Sequence, residues 1–274
     1  MISGISLAHL TAIDLPPPQL IEAAAEAGFD AVGLRLIRVT ATTPGYPLMQ
    51  DTAMMTETKA ALRDTGLRIS DIEFVKIEPD TDVSALRAFL DAGAELGARE
   101  VICAPYDPEL DRLADNLGRL SDSARDRGLG VSLEFFPWTV VPDLTTAHRV
   151  ACAAGPHVGI LVDALHFDRS GSILEELLTV PQNRLRLAHL CDAPVHDSYS
   201  TEELLYTARE ERLPTGDGQI DLLGLIAALP TGISFGLEVP MAGYSHQMGV
   251  AATLQRVMSA FAGLRSKSNF RNSN

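Results

Sequence analysis

Short runs of apolar and β-branched residues alternate along the chain with stretches in which apolar residues recur every three or four positions. The first pattern is typical of strands and the second of amphipathic helices. Eight strands are predicted, at residues 4–7, 31–36, 68–74, 100–103, 130–135, 158–163, 184–190 and 234–239. Helices are predicted at residues 17–27, 52–64, 83–96, 110–126, 144–153, 173–178, 222–229 and 247–261. This alternation predicts a parallel sheet with right-handed crossovers.

Eight strand-then-helix units favour an α/β fold of one (β/α)8 TIM barrel, which we assign to residues 1–265. A doubly wound open sheet is the alternative, because a count of strands does not establish that the sheet closes. Residues 266–274 are polar, and we expect them to form a flexible tail. The two longest loops, 37–51 and 192–218, follow strands 2 and 7. In a barrel such loops lie on the face that carries active sites.

The composition limits the classes of partner and the compartment. The chain has 274 residues, 46% of them hydrophobic, which is enough to bury a sizeable core. Its net charge of −14 argues against nucleic acid and anionic membranes as partners. Three widely spaced cysteines (Cys103, Cys152 and Cys191) fit a reducing compartment better than a disulfide framework. The first residues lack the basic start and apolar stretch of a signal peptide, so we expect a cytoplasmic protein.

Strands 5 to 8 each end at a side chain that can bind a metal. Glu134 ends the fifth run, Asp163 the sixth, His189 the seventh and Glu238 the eighth. Each one alone has an ordinary explanation as an ion-paired carboxylate, a helix cap or a core histidine. Burying several ionised groups unpaired costs several kcal/mol each, and consecutive strands of a barrel converge at one mouth. The four together therefore predict one divalent cation, Mn²⁺, Mg²⁺ or Co²⁺, with Zn²⁺ as a further possibility.

Five pieces of sequence resemble motifs of a known superfamily. They are Leu133-Glu134, Val162-Asp163-Ala164-Leu165-His166, His189-Leu190-Cys191-Asp192, Gly216-Asp217-Gly218-Gln219-Ile220-Asp221 and Leu237-Glu238-Val239-Pro240. By these pieces the chain resembles the xylose-isomerase-like TIM barrels, the sugar isomerase/epimerase branch that also contains ketose 3-epimerases and inosose dehydratases. The resemblance implies that Glu134, Asp163, His189 and Glu238 bind one divalent metal. It also implies that His166 contacts a substrate oxygen and does not bind the metal.

The chemistry implied by this resemblance is isomerisation or epimerisation of a free sugar or polyol through a metal-stabilised enediolate. Glu134 and Glu238 are the expected acid/base pair, and His166 is expected to donate a hydrogen bond to the developing oxyanion. Dehydration of a keto-polyol such as an inosose is the alternative, because it begins with the same enediolate. A non-catalytic barrel that uses the metal to bind carbohydrate is a third hypothesis. The resemblance also suggests a homodimer or homotetramer.

One position departs from the epimerase pattern. The epimerases place an arginine six residues after the histidine of strand 7, and this chain has Val195 there. Arg209 or Arg212 could reach in from the long loop instead, and the alternative for both is a solvated helix face. We predict Arg212 as a substrate-binding residue.

Three weaker candidates complete the predicted substrate site. Trp138 is predicted to form an apolar wall for a sugar face, with ordinary packing as the alternative. His9, just past strand 1, and Glu73, at the end of strand 3, are predicted to line the mouth, with a structural polar role as the alternative. His246 lies beyond strand 8 and is expected to have no role.

Overall fold

Eight parallel strands close into a barrel within residues 4–271, the part of the chain that the computed structural model describes. The strands are β1 (Ser6–Leu7), β2 (Ala31–Arg35), β3 (Arg68–Ile77), β4 (Glu100–Pro105), β5 (Gly130–Glu134), β6 (Val158–Asp163), β7 (Leu185–Leu190) and β8 (Ser234–Leu237). Each strand pairs with the next, and β8 pairs with β1 through Ser6 opposite Gly236 and Leu7 opposite Leu237. The closed order confirms the predicted TIM barrel, so the open-sheet alternative is wrong.

Helices follow the strands around the outside of the sheet. They are α1 (Pro17–Ala27), α2 (Thr52–Thr65), α3 (Arg87–Glu95), α4 (Leu110–Arg125), α5 (Leu144–Ala153), α6 (Ala164–Arg169), α7 (Leu174–Leu177), α8 (Thr201–Arg209), α9 (Leu222–Ala228), α10 (Ala242–Met248) and α11 (Val250–Arg271). Short 3-10 turns lie at His9–Ala12, Val83–Leu86 and Gln182–Arg184.

The prediction missed α6, α8 and α10, which all lie in loops at the catalytic face of a barrel. These helices are only six to nine residues long, so they carry little apolar periodicity. In α8 the signal was a capping box instead: Ser200 accepts a hydrogen bond from the amide of Glu203, whose carboxylate accepts one from the Ser200 amide. The helix predicted at 247–261 corresponds to α11, but its predicted start is wrong, because Gly249, with φ of 82°, separates α10 from α11.

The final helix crosses the predicted boundary between barrel and tail. Helix α11 continues through residue 265 to Arg271. Residues 272–274 lie outside the described residues, and the flexibility of a tail at 266–274 stays a prediction. No helix within residues 4–271 is both long and apolar enough to cross a bilayer.

Apolar side chains pack on both faces of the barrel strands. The larger cluster fills the layer between strands and helices and includes Phe89, Phe135 and Phe261. A smaller cluster contains Phe74, Ile102, Ala104, Phe136, Leu161 and Leu187. Leu161 and Leu187 lie two residues before Asp163 and His189, so they share the faces of those side chains. Leu161 and Leu187 therefore form an apolar floor beneath the charged mouth of the barrel.

Candidate metal centre and substrate cavity

The four side chains predicted as metal ligands meet at the mouth of the barrel. Glu134 ends β5, Asp163 ends β6, His189 lies near the end of β7 and Glu238 directly follows β8. One ligand-capable atom of each lies within 4.8 Å of the other three, and all four residues are buried. The register accounts for this meeting, because Asp163 lies opposite His189 in the ladder between β6 and β7.

The His189 imidazole lies against a glycine of the next strand. Gly236 pairs with His189 across β7 and β8, and a Cβ at Gly236 would lie 2.8 Å from Cδ2 of the ring. Glycine is therefore required there for the ring to point into the barrel. Nδ1 of His189 lies 3.6 Å from Oε2 of Glu238, and neither ring nitrogen has a hydrogen-bond partner. A buried imidazole with both nitrogens unpaired is costly, and a cation at this position would satisfy one of them.

Arg212 contacts two of the four predicted metal ligands, Asp163 and Glu238. Its Nη1 donates to Oδ2 of Asp163 over 2.6 Å, and its Nη2 lies 2.8 Å from Oε2 of Glu238. Its Nε donates to the carbonyl of Ala208 at the end of α8. The guanidinium is buried, and its bonds to the two carboxylates are charge-assisted, which makes them stronger than neutral hydrogen bonds.

The loop that carries Arg212 is tied down by Asp192. The Oδ1 of Asp192 accepts from the amide of Ile220, and its Oδ2 accepts from the amide of Gly216. Backbone hydrogen bonds join Asp192 to Leu213 in both directions. The motif at the end of β7 and the glycine-rich motif at 216–218 are thus parts of one loop anchor, which fixes Arg212 from the C-terminal side.

The carboxylates are electrostatically unequal without a cation. Burial raises the pKa of Glu134 well above its usual range, and the charges of Glu238 and Asp163 raise it further. Burial would also raise the pKa of Glu238, but Arg212 and His189 outweigh it and hold that pKa below its usual value. Burial would lower the pKa of His189, but Glu238, Glu134 and Asp71 together raise it to about 10. A divalent cation would offset the mutual repulsion of the carboxylates, which contributes to the raised pKa of Glu134.

His166 lies beside the four-residue set and outside it. Its Nε2 is 3.8 Å from Oε1 of Glu134, too far for a direct hydrogen bond, and its Nδ1 has no hydrogen-bond partner. Burial lowers the pKa of His166 to about 4, so the ring is neutral at pH 7. Asp163 fixes its backbone, since Oδ1 of Asp163 accepts from the amides of Leu165 and His166 and caps α6.

A cavity of about 770 Å³ opens above these groups. Four members of the predicted site border it directly: Glu134, Glu238, His166 and Arg212. Trp138 borders it as well, with its ring 5.1 Å from that of Phe136 and edge-on to His166 at 5.2 Å. Arg209 and His246 also line the cavity. The position of His246 therefore gives no support to the expectation that it has no role.

His9 and Glu73 are not among the cavity-lining side chains, contrary to the prediction for the mouth. Nδ1 of His9 accepts from the amide of Arg35 and its Nε2 donates to the carbonyl of Leu15, so both nitrogens are already used. Burial lowers the pKa of His9 to about 3, and the ring stacks on Tyr46. Glu73 is buried against Arg35, with Oε1 3.1 Å from Nη2. For both residues the structural alternative is the one that the contacts support.

Two charged residues near the centre were missed by the sequence analysis. Arg35 ends β2 and borders the cavity, and Asp71 lies two residues before Glu73 on the same face of β3. Burial raises the pKa of Glu73 to about 7, with Glu238 and Asp71 adding to the rise against the opposing effect of Arg35. For Asp71 the signal was present in the sequence, because Asp71 and Glu73 are two acids at alternate positions of one strand.

The chain is similar to curated sugar-related enzymes over part of its length. It is 28% identical over 160 residues to an inosose isomerase of Bacillus velezensis, covering 54% of this chain and 54% of the relative. The match thus spans about half the length of that protein.

Solved structures match over almost the whole chain. A crystal structure of an IOLI protein with a bound zinc atom has a TM-score of 0.80 at 17% identity, covering 97% of this chain and 99% of that one. A D-allulose 3-epimerase from Methylomonas sp., in complex with D-allulose, has a TM-score of 0.71 at 16% identity, covering 96% of each chain. At these identities the likeness shows the fold alone.

Most of the chain matches the model of one protein family. The model described as "Xylose isomerase-like TIM barrel" matches residues 21–260, which include every side chain of the predicted metal set and the whole of strands β2 to β8. The closed eight-stranded barrel, with its buried carboxylates and imidazole at the C-terminal strand ends, agrees with that match. The chain belongs to the xylose isomerase-like TIM barrel family.

Proposed function

We propose that this protein is a divalent-metal-dependent isomerase or epimerase of a sugar or cyclic polyol that carries a ketone. One observation carries the proposal: four buried ligand-capable atoms lie within 4.8 Å of one another beside a cavity that also contains His166. The similarity to an inosose isomerase, a protein named for a keto-polyol substrate, supports this substrate class. That similarity covers about half of each chain.

Glu134, Asp163, His189 and Glu238 fit a divalent cation chemically. They offer three carboxylates and one imidazole whose two nitrogens have no hydrogen-bond partner. The zinc-containing structure of similar fold is consistent with such a centre. A bound cation supplies Lewis acidity, which lowers the free energy of an enediolate relative to the ketone. This mixed oxygen and nitrogen set suits Mn²⁺, Mg²⁺, Co²⁺ or Zn²⁺.

The two glutamates take different parts in the proton transfer. Glu238 accepts a charge-assisted contact from Arg212, which makes its carboxylate a weaker base. Glu134 has no arginine within salt-bridge distance in the described residues. We therefore assign removal of the carbon-bound proton next to the ketone to Glu134. Glu238, which is ionised, relays a proton from solvent to the neighbouring carbon or to the opposite face of the same carbon, and the proton held by Glu134 returns to solvent.

His166 is assigned to the oxygen that gains charge as the proton leaves. Its ring is neutral, so one nitrogen carries a proton that it can donate. Edge contacts with Phe136 and Trp138 hold the ring in place, at 4.7 and 5.2 Å between centroids. A donor held in this way needs little reorganisation during the reaction.

Solvent-deuterium exchange tests the proposal. The Mn²⁺-loaded protein is incubated in D₂O with a panel of keto-sugars and inososes, and proton NMR follows the carbons next to the ketone. We expect Glu134→Gln and Glu238→Gln to slow exchange by about 100-fold or more, the range for loss of a general acid or base. Glu210→Gln is the matched control, because Glu210 borders the same cavity outside the ligand set.

Three outcomes would change the assignment. Full turnover by both glutamine variants would contradict the two-base mechanism. Exchange accompanied by a product that has lost one water relative to the substrate would assign the dehydratase alternative. Binding of a keto-polyol without any exchange would assign the non-catalytic carbohydrate-binding alternative.

A further inference from the structure

Five apolar side chains form a continuous wall along one part of the cavity. The wall consists of Val39, Phe74, Tyr106, Phe136 and Trp138, and all five border the cavity. The rings of Phe74 and Phe136 lie 6.0 Å apart, and those of Phe136 and Trp138 lie 5.1 Å apart. Most other lining residues are polar, among them Thr11, Thr40, Thr42, Thr43 and Ser245. Apolar side chains such as Leu10, Ile13 and Met241 also line the cavity, but its phenylalanine, tyrosine and tryptophan rings are all in the wall.

The apolar wall adjoins the proposed reaction centre. The His166 ring contacts both Phe136 and Trp138, and the same ring lies 3.8 Å from Oε1 of Glu134. A substrate whose reacting carbon lies between Glu134 and Glu238 would therefore have the wall beside it, within reach of a group attached to its ring. The volume of about 770 Å³ lies in the range of cavities that enclose drug-sized ligands.

Ordinary core packing does not account for the whole wall. Phe74 and Phe136 are buried, but Val39, Tyr106 and Trp138 keep partial exposure and face the same open space. A contiguous apolar surface inside a cavity is what a ligand covers when it binds. The C–H face of a single sugar ring would cover about one of these aromatic rings and leave the others in water.

The geometry points to a substrate larger than a free monosaccharide: a keto-sugar or keto-polyol ring that carries an uncharged, planar, aryl-sized substituent lying on this wall. This inference rests on the proposed function, since the ring with the ketone occupies the reaction centre. The substituent gains its affinity from apolar area removed from water. The threonines and charged side chains that line the cavity outside the wall face the hydroxyl groups of the ring.

The protein has a built-in reporter for this test, because Trp138 is the only tryptophan in its sequence. Tryptophan fluorescence therefore reports ligands at the wall directly. We would compare the phenyl ether and the methyl ether of one keto-polyol, substituted at the same oxygen, by fluorescence titration of the Mn²⁺-loaded protein. We expect the phenyl ether to bind about 10-fold more tightly or better, as its additional buried apolar area predicts.

Variants separate the wall from a general effect of hydrophobicity. Tyr106→Ala should weaken binding of the phenyl ether by about 10-fold and of the methyl ether by less than about 2-fold, whereas Tyr106→Phe keeps the ring and should restore tight binding. Tyr206→Ala is the control, since Tyr206 is an exposed tyrosine of α8 that does not line this cavity, and it should change neither affinity by more than about 2-fold.

Binding and exchange are measured on the same samples, so the two claims fail separately. Equal affinity for both ethers, or no binding of either, overturns the inference whatever the exchange shows. Tighter binding of the phenyl ether with no deuterium exchange overturns the proposed isomerase chemistry and leaves the apolar subsite standing.

Discussion

Arg212 and Asp163 lie 49 residues apart in sequence, yet Nη1 of the arginine donates to Oδ2 of the aspartate over 2.6 Å. The other end of the same guanidinium contacts Glu238 at 2.8 Å. One rigid planar side chain from the loop after β7 therefore bridges carboxylates at the ends of β6 and β8. This bridge fixes the relative orientation of two proposed ligands whose strands, β6 and β8, are not paired with each other.

Replacement of Arg212 by lysine tests that bridge. Arg212→Lys keeps the positive charge, so it isolates the loss of the two-pronged geometry. We expect divalent-metal affinity and turnover to fall about 10- to 100-fold, the usual effect of disturbing a residue that orients ligands. Isothermal titration with Mn²⁺ measures the affinity. Arg209→Lys, at an exposed cavity-lining position, is the control, and an equal loss in both variants would contradict a specific bridge.

Glu134→Gln is predicted to stabilise the metal-free protein. The folded-state pKa of Glu134 is raised above its ordinary value of 4.5, so folding takes up a proton on this group. Its contribution is favourable below pH 4.5 and is lost as the pH rises toward the folded-state pKa. Above that pH the wild type must either keep a buried charge or hold a proton, and both lower its free energy of unfolding. Glutamine carries no charge and avoids this cost.

Thermal unfolding in a chelator between pH 5 and pH 8 measures the effect. We expect Glu134→Gln to exceed the wild type at pH 8 by about 1 kcal/mol, about 2–4 °C in melting temperature. Adding Mn²⁺ should reverse the order, because the wild type gains more from ligand binding. A variant that melts below the wild type in chelator at pH 8 would contradict this electrostatic account, and Glu210→Gln serves as the exposed control.

Asp192→Asn should loosen the loop that carries Arg212. Asp192 accepts from the amides of Ala193, Gly216 and Ile220, and asparagine replaces one accepting oxygen with a donor. The unpaired amide predicts a loss of about 1–3 kcal/mol in the free energy of unfolding. Denaturant unfolding measures this, and limited proteolysis should cut faster between residues 193 and 216. Asp217→Asn, at an exposed ion pair, should cost less than about 1 kcal/mol.

His9 predicts acid sensitivity. Its pKa falls from 6.5 to about 3 on folding, since burial disfavours the charged ring. The unfolded chain therefore binds one more proton between these values, and stability falls as the pH drops, by at most about 1.4 kcal/mol per pH unit from this group. His9→Gln should be less stable at pH 7 and should have a flatter stability profile between pH 6.5 and pH 4. His157→Gln, on the surface, should keep the wild-type profile.

The strands and the meeting of the four proposed ligands could be predicted, because each depends on local patterning plus one rule of topology. Every predicted strand overlaps an observed one, and Glu134, Asp163, His189 and Glu238 required only that consecutive parallel strands end at one rim. The helices α6, α8 and α10 are too short to produce periodicity; the available signals were the capping side chains Asp163 and Ser200 for α6 and α8, and Gly249 at the end of α10.

Other features depend on tertiary contacts that a single sequence does not encode locally. The Arg212 bridge requires the path of a loop of more than twenty residues, which no propensity determines. His9 looked like a mouth residue because of its position after β1, but the amide of Arg35 and the carbonyl of Leu15 take both of its nitrogens. Arg35 was overlooked because an arginine at a strand end usually reaches solvent, whereas here it is buried against Glu73.

The most direct test of the central claim is metal content. Wild type and His189→Ala are dialysed against an equimolar mixture of Mn²⁺, Mg²⁺, Co²⁺ and Zn²⁺ and analysed by inductively coupled plasma mass spectrometry. We expect one divalent ion per chain in the wild type, at least about 10-fold less in His189→Ala, and an unchanged content in His246→Ala, a cavity residue outside the set. A wild type without metal, or a His189→Ala variant that retains the full content, would contradict that claim.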